Sequence, residues 1–275
     1  MGRGLASGPG NVATSMILSD QYRGGDRQLF PVRLRTREFP PEGAHIEFVT
    51  RADDGELYYC KGDRHGIPCR MREAFFSQLA SGVNLAPPDF RIIEDEDSGE
   101  TYFGSRRMPS TAAKLQTIRF LRTDRKDELG RHLPFPSRWF SQLYAFDMFI
   151  GNGDRSASNI IGFLDGRVMG LRPIDFSAAN LALCGLTDFP DGKSETVQVA
   201  RNLRTVHSFF ADSAIQMLDQ LRAVPASVVQ TFFEAIPDEW IDVGERERIR
   251  EIWSNSQLDK RLEALRAGLS DGRLL

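Results

Sequence analysis

Lysine is scarce in this chain. Of 35 cationic side chains only Lys61, Lys114, Lys126, Lys193 and Lys260 are lysines, so nearly all positive charge sits on Arg. Cysteine is scarce too. Cys60, Cys69 and Cys184 form no CxxC or other metal spacing, which argues against a zinc site and fits reduced thiols. No apolar run approaches the roughly 20 residues that cross a bilayer. The N-terminus lacks the charged-then-apolar layout of a secretory leader. A cytoplasmic protein with no membrane partner is the expectation. The formal net charge of −3 leaves no basic footprint, so nucleic acid is not expected as a ligand by itself.

What is present is enough apolar residue, 41% of 275, for one large or two small domains. Residues 1–25 are Gly- and Ser-rich without a sustained period and read as a mobile segment. "RQLFPVRLRTR" then alternates apolar and charged positions, the pattern of a strand. Ile46 to Thr50 and Leu57 to Lys61 read as two strands joined at Asp54-Gly55, a strong hairpin signal. Met71, Phe75, Phe76 and Leu79 fall on helical spacing, ended by "APPDF". "FRIIED" and "TYFGSRRM" are two more short strands. Beyond Pro109 the pattern turns helical. "SRWFSQLYAFDMFI" aligns Trp139, Leu143, Phe146 and Ile150, and a hairpin follows around Asp165-Gly166. Helices are expected from about Thr205 onward, one of them the whole of "DVGERERIREIWSNSQLDKRLEALRAGL". Its run "ERERIREIW" reads as a solvated face carrying i,i+4 pairs. The fold class is α+β and bilobal: a small antiparallel β-rich N-lobe over 26–108, with one helix, and a mainly helical C-lobe over 109–275.

The stretch "FDMFIGNGDRSASN" drives an apolar helix straight into a polar loop, with Asn159 five positions after Asp154. Asn, Gly, Asp and Ser also make ordinary helix-exit turns. However, the hairpin after this loop returns the chain to Asp175 in "IDFS", so the three polar residues can converge. Phosphoryl transfer requires such a set: one carboxylate for the attacking hydroxyl, and an amide oxygen with a second carboxylate for Mg²⁺. Hard oxygen donors suit Mg²⁺, and no His/Cys cluster competes.

Lys61 ends a strand in a chain that otherwise chooses Arg. A kinase-type site places such a Lys on nucleotide phosphates and pairs it with a helix Glu. Glu73, one turn into the next helix, is the natural partner. A surface Lys and a Glu favoured by the helix dipole are the plain alternative. The phosphate loop is poor in glycine. Between the first strands only Gly43 stands near His45, so cradling there would rest on a few backbone N–H groups. His65 reads as a loop residue.

The order of these elements resembles that of the HipA-like kinases, a branch of the protein-kinase-like fold related to phosphatidylinositol kinases. The likeness covers roughly residues 40–180 and is carried by "GAHIEFVTRADDGELYYCKGD", "REAFFSQLASGVNLAPPDF", "YFGSRRM", "FDMFIGNGDRSASN" and "IDFSAAN". It implies Asp154 as catalytic base, Asn159 and Asp175 as Mg²⁺ ligands, and Lys61 with Glu73 at the ATP phosphates. It puts Tyr102 to Met108 where a hinge meets adenine, making Phe103 and Arg106 nucleotide contacts beside Gly43. Asp175-Phe176-Ser177 departs from the usual Asp-Phe-Gly. No Ser lies in the phosphate-loop region for autophosphorylation; Thr36 or Thr50 would have to substitute.

The expected function is an ATP- and Mg²⁺-dependent kinase acting on Ser or Thr of a protein substrate. The resemblance adds an antitoxin or other regulatory partner. A small-molecule kinase is the runner-up, although Asn152 stands where those enzymes usually carry the His of H-x-D. A catalytically inactive kinase-fold module is the third reading.

Overall fold

The computed structural model describes residues 30–38, 46–63, 66–166 and 168–274. The expected N-terminal segment, Gly43, His45 and His65 lie outside the described residues.

Five strands form one sheet in the order β1-β4-β5-β3-β2. They are β1 (Val32–Arg33), β2 (Phe48–Arg51), β3 (Leu57–Lys61), β4 (Phe90–Glu94) and β5 (Thr101–Arg106). β1 pairs parallel with β4, and every other pair is antiparallel. The β2–β3 turn passes through Gly55 at φ +83°, a conformation that costs glycine nothing and other residues more. Alternation along the strands divides the sheet. Tyr58 and Cys60 of β3 and Tyr102 of β5 join Phe48, Ala52 and Ile93 in a small apolar cluster on one face. Tyr59, Lys61, Phe103 and Ser105 turn to the other face and line a cleft.

Between β3 and β4 runs α1 (Cys69–Gly82). The expected stripe of Met71, Phe75, Phe76 and Leu79 is fully buried, and Arg72, Glu73, Ser77 and Gln78 are buried beside it. A helix hidden on nearly every side needs cover beyond the sheet. That cover comes from α6 (Ala226–Glu234) and α7 (Val243–Ser254). Phe75 stacks on Phe233 at 4.5 Å between ring centroids, and Gln78 Nε2 donates to Phe232 O at 3.1 Å.

The remaining helices are α2 (Lys114–Arg122), α3 (Pro134–Ile150), α4 (Glu195–His207), α5 (Ala211–Ala223) and α8 (Gln257–Ser270), with β6 (Ile160–Asp165) and β7 (Val168–Pro173) as a hairpin. From Leu143 to Ile150, α3 is buried all round, so the expected single stripe becomes a central rod. One hydrophobic core runs from α1 through α3 to α8. No described helix is long and apolar enough to cross a membrane.

Three expectations for the C-terminal half are corrected. Helix starts well before Thr205: α4 opens at Glu195, capped by Ser194, whose Oγ accepts from Val197 N. Much of α4 is exposed, so its apolar period is weak. The long C-terminal helix is two helices. At Asn255 the backbone is extended and the side chain accepts from Gln257 N at 2.9 Å, an Asx turn that competes with helix. Finally, the "ERERIREIW" run is only partly a solvated face. Glu247 does pair with Arg246 and Arg250, but Glu245 is buried against Arg72 of α1.

Candidate active site

The site begins with the pleat of β3. Lys61 is its last residue, opposite Phe103 of β5, and its side chain is buried on the cleft face. Its Nζ donates to Glu73 Oε1 of α1 at 2.6 Å and to Asp175 Oδ1 at 2.9 Å. Burial works against a charged Lys61, but the carboxylates of Glu73 and Asp175 outweigh it and hold its pKa above the ordinary lysine value. Burial also pushes Asp175 upward; the Lys61 ammonium and the Ser177 hydroxyl overcome it and hold Asp175 below the usual carboxylate range. At Glu73 burial wins, and its pKa is raised despite Lys61. Two carboxylates thus share one ammonium, and Glu73, the more deeply buried, carries more of the cost.

The polar loop is positioned by the way α3 ends. Gly151 sits at φ +68°, with Gly151 N bonded to Met148 O at 3.3 Å and Asn152 N to Asp147 O at 2.9 Å. This is the Schellman pattern, and it needs a residue tolerant of the left-handed region. Asp147, in the last turn of α3, is fully buried. It accepts from Arg155 Nε at 2.8 Å, Arg155 Nη2 at 2.9 Å and Asn152 Nδ2 at 3.0 Å. Arg155 also donates to the carbonyls of Asn159 and Ile174, tying the loop to the far end of the hairpin. Asn152 therefore braces the loop from inside, its Oδ1 accepting from Asp154 N at 3.2 Å.

Asn159 Nδ2 donates to Asp154 O at 2.9 Å, which leaves the amide oxygen as the other end of that side chain. After the hairpin, Ile174 N returns to Asn159 O at 3.0 Å, and the next residue is Asp175. Its φ of +64° lies in the left-handed region, uncommon for a residue with a side chain and held by its surroundings. Ser177 Oγ donates to Asp175 Oδ1 at 2.7 Å. Phe176 N and Ser177 N both donate to Glu73 Oε1 at 3.1 Å.

The result is one open cleft with a volume of about 560 Å³, within the range of small-ligand sites. Lys61, Glu73, Phe103, Arg106, Asp154, Asn159 and Asp175 all line it. Seven of the eight expected site residues therefore meet at one cleft, and Gly43 lies outside the described residues. Arg106 borders the cleft, but its guanidinium pairs with Glu56 Oε1 at 2.5 Å. The substitutes considered for a phosphate-loop Ser are otherwise engaged: Thr50 is fully buried, and Thr36 Oγ1 accepts from Arg51 N.

Sequence reasoning missed Glu195, Thr196 and the Asp147–Arg155 pair. Thr196 Oγ1 donates to Asn152 O at 2.6 Å and accepts from Arg155 N at 2.9 Å, pinning the start of α4 to the loop. Glu195 is thereby placed on the cleft next to Asp154. Burial, then the charge of Asp154 and a hydrogen bond to it, raise the Glu195 pKa. A signal for Asp147 was available, a lone carboxylate inside "AFDMFI". Nothing nearby in sequence points to Glu195.

Oxygen donors from Asn159 and Asp175 on one cleft wall suit a divalent cation that completes its shell with nucleotide phosphates and water. Among the described residues no group of three or more His, Cys, Asp or Glu could hold a metal ion alone.

None of the curated proteins matches the chain in sequence. Among solved structures it is similar to the Helicobacter pylori proinflammatory kinase CtkA, with a TM-score of 0.54 and 11% identity over 86% of this chain and 99% of that one. The Golgi casein kinase with Mn/ADP bound aligns at a TM-score of 0.48 and 11% identity, over 94% and 78%. The likeness to CtkA shows a protein-kinase-like fold for the mixed sheet and helices of this chain. The family model described as HipA-like kinase matches residues 37–268, spanning every strand but β1, the cleft residues and nearly all of the helices, and the chain belongs to the HipA-like kinase family.

Proposed function

We propose that this protein is an ATP- and Mg²⁺-dependent protein kinase that phosphorylates Ser or Thr hydroxyls. The observation that supports this best is the Lys61 bridge to Glu73 and Asp175, at 2.6 and 2.9 Å, on a cleft also lined by Asp154 and Asn159. In this reading the bridged ammonium meets the nucleotide phosphates, with its orientation held by the two carboxylates. Phe103 offers an apolar wall on the sheet side. Asn159 and Asp175 would hold the cation, which when bound neutralises charge developing on the phosphates.

Asp154 orients the acceptor hydroxyl and takes its proton. The hydroxyl oxygen forms a bond to the γ-phosphorus as the bond from that phosphorus to the β–γ bridging oxygen breaks, and ADP leaves with the electron pair. Asn152 and Asn159 hold Asp154 through its own backbone, so its carboxylate needs little reorganisation to act.

The test is transfer from γ-labelled ATP with Mg²⁺, using the protein alone and with cell lysate, against Asp154→Ala. A labelled protein band is expected, losing about 10²- to 10⁴-fold in rate in the variant with ATP affinity largely kept. A variant that transfers at the parental rate would remove Asp154 as the base. Label appearing only on small molecules would replace the protein-substrate reading.

A further inference from the structure

Arg72 and Glu73 are neighbours on α1, and both reach the segment that carries Asp175. Glu73 Oε1 accepts from the N–H groups of Phe176 and Ser177, each at 3.1 Å. Arg72 Nη1 donates to the carbonyl of Ser177 at 3.3 Å. The segment is therefore gripped from both ends of its hydrogen-bonding capacity, by two consecutive helix residues.

Arg72 is itself held from far away. Its Nε donates to Glu245 Oε2 at 3.0 Å, and Nη2 donates to Glu245 Oε1. Both side chains are buried, 10% and 8% exposed, so each depends on the other for its countercharge. Glu245 stands at the third position of α7, with Asp242 as N-cap accepting from Glu245 N at 2.8 Å. That spacing is the one in which a Glu turns back to its own cap. Here it reaches across to α1 instead.

The geometry points to Arg72 and Glu245 as positioning residues for the cleft: Glu245 orients Arg72, Arg72 fixes the Ser177 carbonyl, and Asp175 is thereby kept against Lys61. The inference deepens the kinase reading and rests on it. In this chain the place of the metal-side carboxylate is set by α7, through a side chain 173 residues from its partner. Trp240, just ahead of α7, makes further contacts to β5 and α1. Trp240 Nε1 donates to Thr101 Oγ1 at 2.8 Å, and the Arg70 guanidinium lies 5.3 Å from the centre of the Trp240 ring.

The experiment uses the full chain as wild type, Glu245→Gln, the paired Arg72→Met/Glu245→Met variant and Gln78→Ala. Gln78→Ala removes a different bond of α1, the one to α6, which touches nothing in 175–177. Two readouts are taken: hydrogen-exchange protection of the Phe176 and Ser177 amides without ligand, and kcat and KM for ATP·Mg²⁺. Glu245→Gln should lower protection at those two amides and reduce kcat by roughly tenfold or more, because small misplacements at a reacting site are expensive. The paired variant removes the buried charges together and should keep its fold, yet show the same loosening and the same loss, since the Ser177 carbonyl has lost its donor. Gln78→Ala should lower thermal stability without selectively exposing the two amides. Parental protection and kcat in the paired variant would overturn the inference, and so would equal loosening in Gln78→Ala. If the wild type itself shows no Mg²⁺-dependent ATP binding, the kinase reading fails, while amide protection still decides whether Glu245 holds the segment.

Discussion

Two buried ionic groups lie close together in this molecule and differ in how they are closed. Behind the loop, Arg155 and Asp147 are 3% and 0% exposed. Both carboxylate oxygens of Asp147 accept from Arg155, and the guanidinium also reaches two carbonyls. One cation meets one anion, and neither residue lines the cleft. On the cleft, Lys61 meets two carboxylates, and Asp175 keeps 21% of its side chain exposed. The first group is balanced and sealed, as a brace must be. The second sets two carboxylates against one ammonium and keeps an open side, as a ligand site needs. Burial alone does not separate scaffold from site; the balance of charge and the open side do.

The largest expected effect comes from breaking the brace. Asp147→Ala leaves Arg155 charged and buried without its partner, and should cost about 3–5 kcal/mol of stability, read as a shift of the denaturant midpoint. ATP affinity of the folded fraction should hold, because Asp147 lines no part of the cleft, while its transfer rate falls because Asn152 and Arg155 lose the carboxylate that positions the Asp154 loop.

Asp175→Asn should behave in the opposite way. Lys61 keeps Glu73, so the expected stability loss is smaller, about 1–3 kcal/mol for a bond to a charged group. The Mg²⁺-dependent part of ATP affinity should drop at least about tenfold. Calorimetric titration with and without Mg²⁺ checks it, and an unchanged metal-dependent component would take Asp175 out of the site. If the two variants exchanged phenotypes, the distinction between brace and site would be wrong.

The smallest effect is in pH. Asp175 has its folded-state pKa below the unfolded value near 3.9. The native state therefore binds fewer protons at that carboxyl, and its contribution is present above about pH 4 and lost as pH falls below it. The unfolding free energies of wild type and Asp175→Asn should differ most near neutrality and converge in acid. Glu73 has the opposite sign, since burial raises its pKa. Its protonation on acidification relieves some strain in the same triad, which makes the convergence shallower than Asp175 alone would produce.

Local features were open to sequence reasoning. Gly151 and Asn152 at the end of an apolar helix announce a left-handed exit. Asp54-Gly55 and Asp165-Gly166 announce hairpins, and Lys61 stands out at the end of a strand in an Arg-rich chain. Each depends on backbone preferences or a period expressed within a few residues. The start of α4 was hidden because its face is mostly exposed and its period weak, and with it went the placement of Glu195 beside Asp154. The charge run of α7 misled for a related reason. A Glu three residues after a capping Asp is consistent with a local cap, and nothing in its neighbourhood announces Arg72.

By itself the sequence determined the α+β class, the order of the strands with the helix between them, and a set of polar residues that the fold brings to one cleft. Tertiary structure alone decided which charges face each other: Lys61 between Glu73 and Asp175, Arg155 on Asp147, and Arg72 on Glu245. The reason is physical. Turn and helix signals are encoded in torsions a few residues wide. A buried charge is tolerable only beside its partner, and that partner is supplied by whichever distant segment the packed core brings there.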